Sequence, residues 1–132
     1  MTFGLDTSVV LRLLVGEPEH LTAVAWQFIT EATAGGATSL AVSDLVVAEA
    51  YHALRHHYRA NHEDAVNGLR QLLGDARFRS TGVARATLAG STEANPGLMD
   101  RIIHADYARE GFQLVTFDRG LGGLPRTHVL GD

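Results

Sequence analysis

The chain has 132 residues, of which 45% are hydrophobic and 20% charged, the balance of one soluble globular domain and not of a collagen, a coiled coil or a disordered tail. With no cysteine it can have no disulfide framework, cysteine zinc site, iron–sulfur cluster or thiol nucleophile. The net charge of -4 speaks against gripping nucleic acid through a broad basic face; the 11 basic residues are all Arg, which suits bidentate phosphate contacts but equally reflects codon bias.

The spacing predicts a short apolar strand over Thr2 to Leu5 that stops at Asp6, then Thr7-Ser8 as a cap before a helix over Val9 to Val15. Gly16-Glu17-Pro18 breaks it. A second helix spans about Glu19 to Ala34, with Leu21, Val24, Ala25, Phe28 and Ile29 on one stripe, and stops at Gly35-Gly36. Ser39 to Val42 reads as a buried strand, and Ser43 as the cap of a helix from Asp44 to about Tyr58. A helix over His62 to Leu73 and a weak strand over Arg77 to Thr81 follow. Next come a helix over Val83 to Glu93, a loop at Asn95-Pro96-Gly97 and a helix over Leu98 to Glu110 that Gly111 ends. Gln113 to Thr116 is a strand, and Arg126 to Leu130 a last strand at the edge. Short apolar strands alternating with helices predict an α/β layer fold with a mostly parallel sheet, in one domain over residues 1–132. Met1 to Asp6 has neither the basic start nor the apolar stretch of a signal peptide, and no apolar run approaches a membrane span, so a soluble, cytoplasmic protein is expected.

Asp6 and Asp118 each follow a short apolar strand, at the end where open α/β sheets bind ligands. Either is also a common turn or cap residue. Glu49 falls at the edge of its helix's apolar stripe, where a partly withdrawn charge needs a metal, a proton, or a partner such as Arg101 or Arg12. Asp100 opens a helix, where a carboxylate complements the dipole. As a set, four acids able to meet in one crevice would repel one another unless a divalent cation or shared protons intervened. Oxygen donors favour Mg²⁺ or Mn²⁺ over Zn²⁺, and such a site suits phosphodiester hydrolysis.

At these residues the sequence resembles the PIN-domain ribonucleases, specifically the VapC-like toxins of toxin–antitoxin pairs. Leu5-Asp6-Thr7-Ser8-Val9-Val10 resembles the first strand and acid, and Ser43-Asp44-Leu45-Val46-Val47-Ala48-Glu49 the helix with the second acid. Leu98-Met99-Asp100-Arg101-Ile102-Ile103-His104-Ala105 resembles the third-acid helix, and Leu114-Val115-Thr116-Phe117-Asp118-Arg119 the strand ending in Thr-x-Asp. The resemblance implies a three-layer α/β/α fold, a metal-binding quartet of Asp6, Glu49, Asp100 and Asp118, a supporting hydroxyl at Thr116 and a lesser part for Ser8. It also implies Mg²⁺- or Mn²⁺-dependent endonuclease action on RNA, a homodimer and a small antitoxin that blocks the site.

Two features depart from the pattern. Arg119-Gly120-Leu121-Gly122-Gly123-Leu124 follows the last Asp, where many relatives place another acid and an aromatic, which predicts a mobile loop and puts a second metal in doubt. His104, one turn after Asp100, is either a surface residue or a hydrogen-bonding neighbour of a carboxylate or RNA. His52, His56 and His57 have metal-ligating chemistry but no HExxH context. Trp26, Phe28 and Ile29 read as helix packing, or as a partner surface if the second helix is partly uncovered. An aspartyl phosphatase is disfavoured because Asp6-Thr7-Ser8 lacks the second acid of Asp-x-Asp, and an inactive PIN-like binding module because all four acids are present.

Overall fold

The computed structural model describes residues 2–90 and 93–131. Strand β1 (Phe3–Gly4) leads through Asp6 into helix α1 (Thr7–Val15). The helix begins at Thr7, earlier than the expected cap, because the Asp6 carbonyl already accepts from Val9 and Val10 N–H, which makes Asp6 the cap residue. Gly16, at φ +78°, closes the helix by donating to the Arg12 carbonyl.

Helix α2 (Glu19–Thr33) matches its expected span, but of its stripe only Ile29 is fully buried. Val24 remains 63% exposed, Leu21 and Phe28 are also exposed, and Phe28 meets the Phe3 ring edge-on at 5.3 Å. Trp26 packs partly against the core with the Arg77 guanidinium 5.4 Å from its ring centre.

Strand β2 (Leu40–Val42) leads to α3 (Asp44–His56), whose cap Ser43 accepts from Val46 N–H at 3.2 Å. Val47, Ala50, Tyr51 and Leu54 form the buried stripe of α3, which packs against α1, α4 and α6. Helix α4 (His62–Gly74) is capped by Asn61, which accepts from Asp64 N–H at 2.7 Å, and buries Ala65, Val66, Leu69, Leu72 and Leu73. Strand β3 (Phe78–Ser80) inserts Phe78 into the same core.

The next helix is shorter than expected: α5 covers only Ala84–Ala89 and stops at Gly90. Part of the expected remainder, residues 91–92, lies outside the described residues. Helix α6 (Leu98–Ala108), strand β4 (Leu114–Thr116), a 3₁₀ turn (Arg119–Leu121) and strand β5 (Thr127–Val129) complete the order.

All pairings are parallel, as the short apolar strands predict. Among the described residues they form two ladders, β1-β2-β3 and β4-β5. Helices cover the strands in the three-layer α/β/α arrangement, and no helix among the described residues is long and apolar enough to cross a membrane.

Candidate active site

Asp6 lies in the extended step between β1 and α1, exposed, where the Ser8 hydroxyl donates to its Oδ2 at 3.0 Å. That hydroxyl, followed by the backbone N–H groups of Ser8 and Thr7, holds the Asp6 carboxyl below the usual aspartate range. These amides make no capping hydrogen bond to the side chain in the strict geometric sense, so their influence is that of nearby dipoles. Between Asp6 and Ser8, Thr7 turns the other way and donates its hydroxyl to Glu49 Oε1 at 2.8 Å. The tripeptide Asp6-Thr7-Ser8 therefore contains one of the four candidate acids and hydrogen-bonds a second.

Glu49 differs from expectation in its surroundings. It is exposed, because the buried stripe of α3 passes through Val47 and Ala50 and leaves position 49 on the outer face. Neither suggested Arg is its partner. Arg12 donates from Nη2 to the Tyr58 hydroxyl at 2.7 Å, and Arg101 from Nε to the Pro96 carbonyl at 2.9 Å.

Asp100 is half-buried in the first turn of α6, which packs on α3. Met99, its neighbour in sequence, walls a shallow cleft shared with Leu45, Ala48, Glu49 and His52, between α3 and α6. Asp118 follows β4 and is exposed; its Oδ1 accepts from Gly120 N–H at 2.8 Å, and its own N–H donates to Thr116 Oγ1 at 3.0 Å. Thr116 thus fixes the backbone of the acid. No hydrogen bond joins Asp118 to the other three acids, and its strand lies in the second ladder.

Among the described residues the ion pairs are Arg77–Asp75 and Arg109–Asp106, and none of the four acids takes part in one. Their charges are left without cationic partners in a chain containing 11 Arg. In donor type, carboxylates with neighbouring hydroxyls fit a hard divalent cation. In spacing they stand apart: among the described residues no three His, Asp or Glu side chains lie close enough to hold an ion. Holding one would require side-chain movement from exposed Asp6, Glu49 and Asp118 and half-buried Asp100.

His104 contacts neither a carboxylate nor open solvent alone. Its Nε2 lies 2.6 Å from the Pro125 carbonyl oxygen, tying α6 to the turn before β5. Within the glycine-rich segment after Asp118, Arg119–Leu121 form the 3₁₀ turn, and Leu121 is buried. Two residues escaped the sequence reading. Thr7, taken there as a cap, links the first two acid segments, for which the sequence carries no local signal. Asp44, taken as a helix start, accepts from Val83 and Ala84 N–H, both at 3.0 Å, and so caps α5 from another helix. Gly82 was the available hint, since a Cβ there would collide with the Asp44 carboxylate.

Compared with known proteins, residues 4–126 match the PIN domain family. No curated protein and no solved structure gives a significant match. Because the family match takes in every acid discussed above and every element but β5 and the first residue of β1, the chain belongs to the PIN domain family, a nuclease-type fold whose members typically use divalent metals.

Proposed function

We propose that the protein is a metal-dependent endoribonuclease that hydrolyses RNA phosphodiester bonds and serves as the toxin of a toxin–antitoxin pair. Asp6, Glu49, Asp100 and Asp118 would hold Mg²⁺ or Mn²⁺, with Thr116 and Ser8 in support. The observation that carries this reading is the Thr7 link, which brings the Asp6 and Glu49 segments together with both carboxylates free of any ion pair. Bound there, the cation would supply a Lewis acid that activates water and takes up charge on the phosphoryl oxygens. The chain's own residues prepare for that. Ser8 favours the ionised form of Asp6, Thr7 orients Glu49, and the Gly120 amide orients Asp118.

The partners are those that the family resemblance implies, and two surface features support them. An apolar groove between α1 and α2, lined by Val9, Leu11, Leu21, Val24 and Phe28, begins at Ser8 and so borders Asp6. It supports an antitoxin that covers the groove and inserts an Arg among the carboxylates. Exposed Ile103, Tyr107 and Val115, with Phe117 at 78% exposure, support a homodimer through α6 and β4. One domain over residues 1–132, working in the cytoplasm, completes the reading.

The test is RNA cleavage by wild type and Asp100→Asn, each with and without Mg²⁺. Cleavage confined to wild type with Mg²⁺ is expected; cleavage by both in excess chelator would overturn the mechanism. Expression alone should slow growth, and co-expression of the adjacent small reading frame should restore it. Harmless expression of active chain would refute the toxin role and leave the nuclease standing.

A further inference from the structure

We propose that His52 and His56 form an exchangeable chelating site for a borderline divalent transition ion such as Ni²⁺ or Zn²⁺, built from imidazoles alone although His52 shares a cleft with Glu49, and not resting on the nuclease reading. The two residues are one helical turn apart on α3, and their ring centres lie 4.5 Å apart with the planes tilted by 44°. Both side chains are exposed. Neither ring has a hydrogen-bond partner among the described residues, so in each neutral ring the unprotonated nitrogen, of either tautomer, is available to ligate. Ring centres 4.5 Å apart are close enough for one nitrogen of each ring to reach a shared ion, for which metal–nitrogen bonds are about 2.0 Å.

Three further observations favour chelation. The helix is held by Val47, Ala50, Tyr51 and Leu54 in the core, so the pair is presented on a rigid support and loses little freedom on binding. Arg55, the cation between them in sequence, donates to the Tyr51 hydroxyl at 3.0 Å and lies by the Tyr51 ring, which engages its charge away from the imidazoles. His57, next along the chain, faces Tyr58 edge-on at 4.8 Å and is not part of the pair. Among the described residues no third His, Asp or Glu closes a cage, so water would complete the shell and the ion would exchange readily. Imidazole selects Ni²⁺ and Zn²⁺ over Mg²⁺, which prefers oxygen donors.

The experiment is calorimetric titration of the untagged full chain with NiCl₂ and ZnCl₂, in excess Mg²⁺ to occupy oxygen sites. One ion should bind per chain in wild type. His52→Gln and His56→Gln should each weaken binding by about tenfold or more, because one imidazole loses the advantage of an intramolecular second ligand. His57→Gln should bind like wild type. Circular dichroism would establish that each variant is folded, as expected for exposed positions. Binding absent in wild type, unchanged in the His52 and His56 variants, or equally weakened by His57→Gln would overturn the proposal.

Discussion

The Thr7 hydroxyl reaches across 42 residues of sequence to donate to Glu49 at 2.8 Å. Its neighbours, Asp6 and Ser8, hydrogen-bond to each other at 3.0 Å. Alternation along the start of α1 thus sends the two consecutive hydroxyls, Thr7 and Ser8, to two different acids. If this link orients Glu49 for function, Thr7→Val should reduce RNA cleavage while costing at most about 1 kcal/mol of stability, as for an exposed hydrogen bond. Equal cleavage by the variant would separate Thr7 from the site.

Asp6→Asn, Asp100→Asn and Asp118→Asn should each remove most RNA cleavage and leave the melting temperature nearly unchanged or raised. None of these acids forms an ion pair that the change would break, and Asn caps a helix or turn about as well as Asp. Mg²⁺ should raise the melting temperature of wild type, since a ligand bound only by the folded chain stabilises it, and should raise that of the variants less. A collapse in stability together with activity would mark the acids as structural.

Ser8→Ala should raise the Asp6 carboxyl toward its ordinary value, because the Ser8 hydroxyl is the largest influence lowering it. A carboxyl lowered by folding contributes stability above its unfolded pKa, and that contribution is lost as pH falls through the folded value. The difference between wild type and Ser8→Ala should therefore be present at neutral pH and vanish in acid. Carbon-detected NMR of the Asp6 carboxyl across the acid range reads the shift directly.

His104→Ala should lower activity far less than Asp100→Asn and cost about 1 kcal/mol in denaturant unfolding, the worth of one hydrogen bond to the Pro125 carbonyl. Activity lost as completely as in Asp100→Asn would instead place the imidazole at the reaction.

Asp44→Ala should destabilise the fold by about 2 kcal/mol in denaturant unfolding, because the Val83 and Ala84 amides lose their acceptors. An unchanged midpoint would show that water replaces the carboxylate at no cost.

What could be read in the sequence was local. Ser43 as a cap, Gly36 and Gly111 at positive φ beyond their helices, and the span of α2 depend on nearest neighbours along the chain. The exposure of Val24 and Leu21 could not be read, because periodicity shows that a helix has an apolar face but not what covers it. Glu49 shows the same limit: its place beside the stripe was visible, its exposure and its Thr7 partner were not. The order of the four acids along strand ends and helices was legible, whereas their separation depends on how two strand ladders and two helices are placed in space.

The division of the strands into two ladders bears on the order of folding. Thr127–Val129 pairs with Leu114–Thr116 across a short intervening turn, while Phe3–Gly4 must wait for Leu40–Val42 beyond two helices. Closing the shorter loop costs less chain entropy. The C-terminal ladder, braced to α6 by the His104 tie, can therefore become structured early, carrying Asp100 and Asp118 as one local unit. Asp6 and Glu49 come together only with the slower, longer-range closure.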